Sequence, residues 1–374
     1  MKINLIFHGR FPSEKADSLF AILDAKSFVD QGVQVDIIVP RRLGRESDVF
    51  GFYGLNDFCK IKYLPILDLY ILPIPKFISY FVGIGSFAIS CLIYLIFNSK
   101  KDEYFYSNEI VPLYPVSFIR KTFYEMHDYP ESKKGIFARM ITRMDKILIH
   151  NRWKTDRVIS EFGINKDKII TLPNAVSVEE FDIQISRQQA RQMLGLPSDN
   201  KIVVYTGHFY SWKGVDLLAQ TASKMPQYDF YFIGGNPHAV EQYKAKFNHI
   251  NMHFLGFKPH KEIPIWQKSA DCLVLPNTAK EDISKYYTSP MKLFEYMASG
   301  VPIVASQIPS IEEIVSDFEV KFFEPDSEES LTNAIDNILQ NKDSANILAK
   351  NARVKVNDYT WRIRAKKIIN FINE

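Results

Sequence analysis

Hydrophobic positions along this chain fall into short runs that alternate with longer stretches of helical periodicity. Residues 3–7 and 33–39 are apolar runs of strand length, and between them apolar residues recur at the spacing of one helix face. Asp17 or Ser18 is expected to cap that helix and Gly32 to end it. Strands that alternate with helices predict a parallel, doubly wound sheet whose ligands bind at the carboxyl ends of the strands.

The alternation continues to the end of the chain and divides it into two Rossmann-like domains. Further strands are predicted at residues 104–106, 122–126, 146–150, 169–172, 201–206, 229–233, 252–255, 272–275, 302–305 and 320–323. In the second half, helices are predicted at residues 215–224, 261–268, 290–298, 311–316 and 328–339. We place an N-terminal domain at residues 1–180 and a C-terminal domain at residues 181–357, facing each other across a central cleft. A last helix at residues 358–374 is expected to pack back on the first domain.

One segment, residues 77–97, contains 21 residues without a charge and is flanked by Lys76 and by Lys100 and Lys101. Its length permits a membrane span. Its glycine and serine residues, and its place between two predicted strands, favour a helix that is buried or that lies shallowly on a membrane surface. Both of these interpretations stay open from the sequence.

Composition excludes several classes of protein. With 46% hydrophobic and 24% charged residues the chain is typical of a globular protein, and a net charge of +3 without a dense basic cluster argues against a nucleic-acid partner. Cys59, Cys91 and Cys272 form neither a disulfide framework nor a metal-ligand spacing, which indicates a reducing compartment, and no secretory signal is recognisable. No glycine-rich dinucleotide or P-loop motif follows a strand, which argues against a dehydrogenase or a P-loop enzyme.

The stretch from Ser289 to Gly300 has the chemistry of a nucleotide site. Pro290 suits the first turn of a helix, so the amides from Ser289 to Lys292 form an exposed helix N-terminus that can face a diphosphate. Glu295 follows about one turn later, where its carboxylate can accept hydrogen bonds from both hydroxyls of a ribose. The alternative is an ordinary capped helix with a solvated glutamate.

Longer stretches carry a family resemblance. They are residues 205–218 (YTGHFYSWKGVDLL), 254–276 (FLGFKPHKEIPIWQKSADCLVLP) and 289–306 (SPMKLFEYMASGVPIVAS), with weaker matches at 124–128 (YEMHD), 171–182 (TLPNAVSVEEFD) and 359–372 (YTWRIRAKKIINFI). In this order they resemble the retaining glycosyltransferases of sequence family 4 (glycosyl transferases group 1) over essentially the whole chain. The resemblance implies the α/β GT-B fold and transfer of a sugar from a nucleotide diphosphate, with retained anomeric configuration and without a metal.

The resemblance places the chemistry on His127, Lys213 and Glu295. Lys213, between a strand and a helix, can reach the donor's phosphates and stabilise the departing diphosphate, while Glu295 matches the ribose-binding glutamate of the family. His127 closes a predicted strand and matches a histidine beside the transferred sugar and the acceptor; Asp128 either orients it or caps the following turn. The remaining donor-binding candidates are Gly9, Gly207, His208, Gly234, Glu281, Tyr287, Ser289, Pro290, Met291 and Lys292.

Two of these positions depart from the family pattern. Many members carry a second glutamate where this chain has Tyr287, and Glu281, six residues earlier, is a possible substitute. His208 stands where a basic residue is usual, and it can contact the phosphates either protonated or as a neutral hydrogen-bond donor. The identity of the transferred sugar therefore stays open.

The acceptor is expected to bind in the N-terminal domain, at the loop of residues 9–16. Gly9 allows a close approach of the backbone, and Arg10, Ser13 and Lys15 are acceptor-binding candidates together with His127 and Asp128.

The function predicted from these observations is a metal-independent hexosyltransferase that needs no cofactor. It uses a nucleotide-sugar, expected to be a UDP-sugar, and a glycan or polyprenyl-diphosphate-linked acceptor of bacterial surface polysaccharide (O-antigen or capsule) synthesis. No Asp-x-Asp motif or His/Cys cluster is spaced to hold a metal. The expected location is the cytoplasm, peripheral to the inner membrane. The alternatives are a nucleotide-sugar epimerase of the same architecture and a non-catalytic nucleotide-sugar-binding subunit.

Overall fold

A computed structural model describes residues 1–13, 15–42, 48–132 and 134–374. The chain forms two compact units. Unit 1 consists of Met1–Leu172 and Trp361–Glu374, and unit 2 of Pro173–Thr360. Unit 2 thus begins eight residues before the domain boundary predicted at 180/181, because Val176, Val178 and Phe181 are buried in its hydrophobic core.

Unit 1 is built on a parallel sheet. Its strands are β1 (Lys2–Ile6), β2 (Gln34–Pro40), β3 (Lys60–Leu64), β4 (Tyr104–Ser107), β5 (Lys121–Met126), β6 (Lys146–Ile149) and β7 (Ile169–Thr171). Its helices from the first part of the chain are α1 (Ala16–Val29), α2 (Val49–Phe52), α3 (Lys76–Asn98), α4 (Ile110–Val116), α5 (Lys134–Ile141) and α6 (Arg152–Phe162). The described strands pair in the order β3-β2-β1-β4-β5-β6-β7. The order reverses between β1 and β4, where a parallel sheet opens a crevice at the carboxyl ends of its strands.

Unit 2 repeats this architecture. Its strands are β8 (Ile202–Thr206), β9 (Asp229–Ile233), β10 (Met252–Gly256), β11 (Cys272–Leu275), β12 (Ile303–Ser306) and β13 (Lys321–Phe323). Its helices are α7 (Val178–Phe181), α8 (Arg187–Leu194), α9 (Val215–Ser223), α10 (Pro237–Lys246), α11 (Ile263–Ser269), α12 (Met291–Ser299), α13 (Pro309–Glu312), α14 (Glu328–Gln340) and α15 (Lys342–Lys355). The parallel strands pair in the order β10-β9-β8-β11-β12-β13, and the order reverses between β8 and β11.

The last helix, α16 (Trp361–Asn373), belongs to unit 1 and packs against α1. Ala365, Ile368 and Ile372 of α16 join the core formed by β1, β2 and α1. Because α16 packs in unit 1, its polar residues as well as its apolar face belong to that unit.

Helix α3 contains the long apolar segment recognised in the sequence. It has 23 residues, its most apolar stretch has a mean hydropathy of 2.1, and only a third of that stretch is buried. Among the described residues it is the one helix that is long and apolar enough to cross a membrane. Gly83, Ile84, Phe87, Cys91 and Leu95 form its buried stripe. Its other face exposes Phe77, Phe81, Ile89, Ile93, Ile96 and Phe97.

Strand β3 and helices α10 and α15 are among the elements absent from the sequence-based prediction, and their patterns are weak. Strand β3 leaves four of its five residues partly or fully exposed, so its apolar and polar positions do not form a buried run. Helix α10 buries only Val240, and α15 buries only three alanines. The predicted cap of α1 was also wrong: the helix starts at Ala16, Lys15 precedes it without a side-chain cap, and the Ser18 hydroxyl instead contacts the Tyr53 hydroxyl.

Candidate active site

Helix α12 provides the first part of the candidate site in unit 2. It begins at Met291, so Pro290 stands just before it rather than within its first turn, and it ends at Ser299, followed by Gly300, whose φ of 68° suits a glycine. Ser289 is held by Asn174, whose backbone N–H donates to the serine Oγ at 3.0 Å and whose Nδ2 donates to the serine carbonyl at 2.7 Å. These bonds fix the chain just ahead of the helix N-terminus.

Lys292 in the first turn of α12 is the most unusual group of unit 2. It is only 9% exposed, and within the described residues its Nζ has no hydrogen-bond partner. The ammonium lies 3.8 Å from the centroid of the Tyr205 ring, and a Cβ added to Gly207 would lie 2.8 Å from Nζ. Burial first, and then the charge of Lys213, lowers the pKa of Lys292 well below its usual range. A buried cation of this kind is best satisfied by an anionic ligand.

Lys213 approaches the same region from the turn before α9. The backbone of that turn passes so close to the carbonyl of Pro276 that a Cβ on Gly214, which has a φ of 69°, would lie 1.7 Å from the oxygen. The Lys213 Nζ lies 3.8 Å from the Trp212 ring centroid. Burial lowers the pKa of Lys213 to about 8, against the opposing charge of Glu295. Lys213 is therefore still mainly protonated at neutral pH.

Glu295, one turn beyond Lys292, completes this group. Its side chain is 16% exposed, and burial raises its pKa, while the nearby charges of His260 and Lys292 act in the opposite direction. His260 Nε2 lies 4.0 Å from Glu295 Oε1. Lys213, Lys292 and Glu295, all predicted from the sequence, thus face one region; His260, just before α11, was missed because a polar loop histidine carries no distinguishing pattern.

The two glycines at the ends of β8 and β9 are in contact. A Cβ on Gly234 would lie 2.2 Å from the Gly207 carbonyl oxygen, and both residues have positive φ, 129° at Gly207 and 120° at Gly234. Only glycine fits at Gly234 on steric grounds, whether or not a ligand approaches. The contact between the two loops holds Gly207 beside the Lys292 ammonium.

His208 and Glu281 lie near the Lys213 turn, and Tyr287 lies on the chain that leads to α12. His208 as a residue is exposed, but its ring stacks on the Tyr210 ring with the centroids 5.2 Å apart and is partly shielded from solvent. This partial burial, and then the charges of Lys213 and Lys292, lower the pKa of His208, which favours the neutral form. Glu281 Oε1 accepts a hydrogen bond of 2.8 Å from Ser211 Oγ, next to that turn. Tyr287 is half-buried at the end of a π-helical turn, Ile283–Tyr287, shortly before α12.

In unit 1 the loop after β1 opens on a cavity of about 660 Å³ at the switch point of the sheet. Four predicted residues line it: Gly9, Arg10, Ser13 and Lys15. The other described residues that line it are Phe7, His8, Asp17, Arg42, Asp68, Tyr70, Tyr80 and Glu109. His127 and Asp128 are not among them. The lining carries cations, carboxylates and two tyrosines, whereas the sequence had indicated mainly cations.

The cavity floor is a chain of polar contacts. Arg42 Nη2 lies 3.2 Å from His8 Nε2 and donates to the His8 carbonyl at 3.1 Å, and Arg42 Nη1 lies 3.4 Å from Asp68 Oδ1. Burial and the charge of Arg42 lower the pKa of His8 to about 4, so its ring is neutral. Glu109 Oε2 lies 3.6 Å from His8 Nδ1, and burial, with a contribution from Asp17, raises the pKa of Glu109 to about 7.

His127 follows β5 and is oriented by Glu125 rather than by Asp128. Its Nε2 lies 3.1 Å from Glu125 Oε1, its side chain is 22% exposed, and the Phe20 ring packs edge-on against it at 5.0 Å. Asp128 is exposed. Glu125 could have been recognised in the sequence, because a residue two positions before His127 on a strand faces the same side of the sheet.

Glu125 is itself at the centre of a buried network. Its Oε1 also accepts from His150 Nε2 at 2.6 Å and from Arg364 Nη2 of α16 at 2.7 Å, and Arg364 Nη1 donates to Asp24 Oδ1 of α1 at 2.6 Å. Burial would raise the pKa of Glu125, but the Arg364 charge and the two histidines hold it well below its usual range. Burial lowers the pKa of His150 to about 3, so that ring is neutral.

Glu125, His127 and His150 also have the composition of a metal site, since one ligand atom from each lies within 4.8 Å of the others. The Arg364 guanidinium, however, already donates to the same carboxylate oxygen. A cation is thus supplied by the protein, and a metal ion there would be opposed by the positive charge of Arg364.

Residues 186–355, nearly all of unit 2, match the family model described as "Glycosyl transferases group 1". Unit 2 is thus similar to the glycosyl transferases group 1 family. The matched stretch contains Lys213, Lys292 and Glu295.

Curated relatives are similar to about half of the chain. The chain is 27% identical over 200 residues, 52% of its length, to the sulfoquinovosyl transferase SQD2 of Arabidopsis thaliana, and 24% identical over 209 residues, 54% of its length, to a 41.2 kDa protein of the cps region of Klebsiella pneumoniae. These matches span 38% and 55% of the relatives' own lengths.

Two solved structures share the fold. The sucrose-phosphate synthase of Thermosynechococcus elongatus superposes with a TM-score of 0.80 at 17% identity, covering 100% of this chain and 98% of that one. Anabaena Alr3699/HepE, solved in complex with UDP-glucose, gives a TM-score of 0.74 at 15% identity and covers 100% and 99%. The predicted fold class, GT-B with two Rossmann-like parallel sheets, is confirmed.

Proposed function

We propose that this protein is a retaining, metal-independent hexosyltransferase that uses a UDP-sugar. Its acceptor is a hydroxyl of a glycan or of a polyprenyl-diphosphate-linked saccharide in bacterial surface polysaccharide synthesis. The observation that carries the proposal is the group formed by Lys213, Lys292 and Glu295. Retention and the metal-free route follow from the resemblance to family 4, and surface polysaccharide synthesis is supported by the similarity to the Klebsiella cps-region protein.

The two lysines are suited to a diphosphate. Lys292 carries a buried amino group without a hydrogen-bond partner in the described structure, and a bound anion would favour its protonated form. Lys213 is a second cation that faces the same region. Charge that develops on a departing nucleotide diphosphate is stabilised most strongly by fixed cations in a site of low dielectric. Because two lysines supply this charge, the reaction does not require a metal there. Glu295, one turn beyond Lys292 on α12, is proposed to bind the ribose hydroxyls.

The cavity of unit 1 is proposed as the acceptor site. Its carboxylates can accept hydrogen bonds from sugar hydroxyls, Arg10, Lys15 and Arg42 can donate to them, and Tyr70 and Tyr80 offer faces on which a sugar ring can stack. Tyr80 belongs to α3, whose opposite side exposes apolar residues. This neighbourhood suits an acceptor whose saccharide is in the cavity while its lipid is in a membrane.

Helix α3 is proposed to dock on the cytoplasmic surface of the inner membrane. Its exposed aromatic and aliphatic side chains provide buried area for the interface, and Lys76, Lys100 and Lys101 at its ends provide attraction to anionic lipids. The wild-type protein should co-sediment with vesicles of phosphatidylethanolamine and phosphatidylglycerol. Phe81→Ser combined with Ile89→Ser should reduce the bound fraction, whereas Ile347→Ser, at an equally exposed isoleucine of unit 2, should not. Equal binding by all three proteins would contradict docking through α3.

Thermal shift with a panel of nucleotides tests the donor assignment. UDP, GDP and dTDP, their sugars, and uridine are each added to the protein at equal concentration. We expect UDP and one UDP-sugar to raise the melting temperature, because a ligand at 100 times its Kd stabilises by about 2.7 kcal/mol. Uridine should raise it much less. A shift by uridine equal to that by UDP would contradict the diphosphate role of the lysines.

Incubation with the UDP-sugar alone separates the transferase from the epimerase alternative. A transferase leaves the sugar's configuration unchanged or slowly hydrolyses the donor to free sugar, whereas an epimerase forms the epimeric UDP-sugar. Product analysis by anomeric and ring-proton NMR distinguishes these outcomes, and formation of an epimer would overturn the proposal. Binding of the UDP-sugar without transfer to extracted lipid-linked acceptors would favour the non-catalytic subunit.

A further inference from the structure

The network behind His127 has a consequence for the chemistry of that side chain. Three nitrogen atoms lie within hydrogen-bond distance of Glu125 Oε1: His127 Nε2 at 3.1 Å, His150 Nε2 at 2.6 Å and Arg364 Nη2 at 2.7 Å. An ionised carboxylate can only accept hydrogen bonds. His127 must then donate through Nε2, and in the neutral ring Nδ1 is left without a proton.

Arg364 keeps this carboxylate ionised in a fully buried place. Glu125 is 0% exposed and Arg364 3% exposed, and the guanidinium joins Glu125 of β5 to Asp24 of α1. Without a cation, a carboxyl group buried to this degree would take up a proton, and its oxygen could then donate instead of accept. The tautomer of His127 therefore depends on a residue 237 positions further along the chain.

The other neighbours of His127 hold it without competing for Nε2. The Phe20 ring packs edge-on at 5.0 Å, and Lys154 Nζ donates to the His127 carbonyl at 2.9 Å, which fixes the backbone at the end of β5. His150 lies with its ring centroid 4.7 Å from that of His127 and is neutral. Asp24 and Asp128 are the remaining nearby charged groups, the first bound to Arg364 and the second exposed.

We propose that Glu125 and Arg364 are positioning residues that hold His127 in its Nε2-protonated tautomer, with Nδ1 as a hydrogen-bond acceptor for a hydroxyl of the transferred sugar or of the acceptor. The role of that hydroxyl rests on the proposed transferase function; the tautomer does not. The assignment gives the first residues of α16 a function in the site, beyond the packing of the helix in unit 1.

Nitrogen-15 NMR of the histidine rings tests the tautomer directly. The protein is labelled at histidine, and the His127 signals are assigned by their loss in His127→Gln. At pH 8 we expect the wild-type Nε2 to show a proton coupling and Nδ1 to resonate as an unprotonated ring nitrogen. A proton on Nδ1 of His127 in the wild-type protein would overturn the proposal without any variant.

Variants then test the positioning residues. Glu125→Gln is isosteric and removes the charge, and Arg364→Lys keeps a charge but cannot bridge two carboxylates with one rigid plane. Both should convert the single His127 tautomer into a mixture and lower kcat at least about tenfold, with the KM for the donor within about twofold. A misplaced His127 weakens the stabilisation of the transition state more than it weakens donor binding.

Arg191→Lys is the matched control, because Arg191 is also buried and donates to Asp271 at 2.6 Å, but in unit 2. It should leave the His127 tautomer unchanged. An unchanged tautomer in Glu125→Gln and Arg364→Lys would contradict the positioning role. If the wild-type protein transfers no sugar, the proposed function fails while the NMR result still decides the tautomer.

Discussion

The two units each bury a cation next to a predicted functional residue, but they treat it in opposite ways. Arg364 in unit 1 is joined to two carboxylates, and although burial acts against it, these charges raise its pKa. Lys292 in unit 2 has no hydrogen-bond partner among the described residues, and burial lowers its pKa. A buried cation that the protein has paired holds the structure together, whereas one that the protein leaves unpaired is available to a ligand.

Removal of the paired cation should have the largest effect on stability. Arg364→Met keeps much of the side-chain volume but leaves Glu125 and Asp24 buried without a cation, which should cost about 3–5 kcal/mol of the free energy of unfolding. Urea denaturation followed by tryptophan fluorescence and circular dichroism measures the loss. The double variant Arg364→Met with Glu125→Gln should recover part of it. A loss below about 1 kcal/mol would show that the network contributes little, and the contrast between the two units would not hold.

Removal of the unpaired Lys292 side chain should change the free energy of unfolding in the opposite direction. Lys292→Met replaces a buried ammonium by an apolar side chain of similar length, so the ligand-free protein should gain about 1–3 kcal/mol, because a buried polar group without a partner is costly. The same variant should lose most of the thermal shift caused by UDP and keep that caused by uridine. A destabilised Lys292→Met would mean that the ammonium has a stabilising role in the ligand-free protein.

The difference between the units also explains which residues of the candidate site could be predicted from the sequence. In unit 2, Lys292 and Glu295 lie within one turn of α12 and Lys213 lies in a short motif, so local spacing together with the family resemblance was enough to predict a shared site. In unit 1, Asp24, Glu125, His150 and Arg364 meet only because α1, β5, β6 and α16 pack together, and no local pattern links them. His127 was found through the family resemblance, while its partners depend on long-range packing.

The secondary structure also divides into elements that a local pattern predicts and elements that it does not. Strands with continuous buried runs, such as β8 and β11, were predicted to within a residue or two, because burial on both faces gives an unbroken apolar pattern. The edge strand β3 and the helices α10 and α15 were not, since their partial exposure leaves few apolar positions. The extra carboxylates of the unit 1 cavity, Asp68 and Glu109, come from separate loops that only the sheet order brings together.

A third test uses pH to follow the unit 2 site. Lys213 has a pKa of about 8, so it loses its charge as the pH rises through 8, and the affinity for UDP should fall by up to about tenfold per pH unit above that value. Lys292, whose pKa is also lowered, acts in the same direction, since it too is cationic only at lower pH. Calorimetric titration from pH 7 to 9 measures the trend. Lys213→Arg keeps its charge throughout this range and should flatten the curve, and identical slopes for both proteins would remove Lys213 from the phosphate site.

The smallest expected effect probes the unit 1 network through His150. The pKa of His150 is lowered to about 3 in the folded protein, whereas the ordinary value is 6.5, so below pH 6.5 the unfolded chain binds a proton that the folded protein does not. The folded state should therefore lose stability as the pH falls from 6.5, by at most about 1.4 kcal/mol per pH unit from this group.

Asp24 and Glu109, with pKa values raised to about 7, act in the opposite direction over part of this range, because the folded protein binds their protons first. The stability of the wild-type protein as a function of pH thus combines opposing contributions, and the comparison with His150→Asn isolates that of the histidine. Urea denaturation at pH 7.5, 6.5 and 5.5 should show the two proteins converging, with the wild type losing more stability than the variant at each step. Curves that stay parallel would mean that the buried ring does not resist protonation, and they would contradict the neutral state of the His150 ring that contacts Glu125.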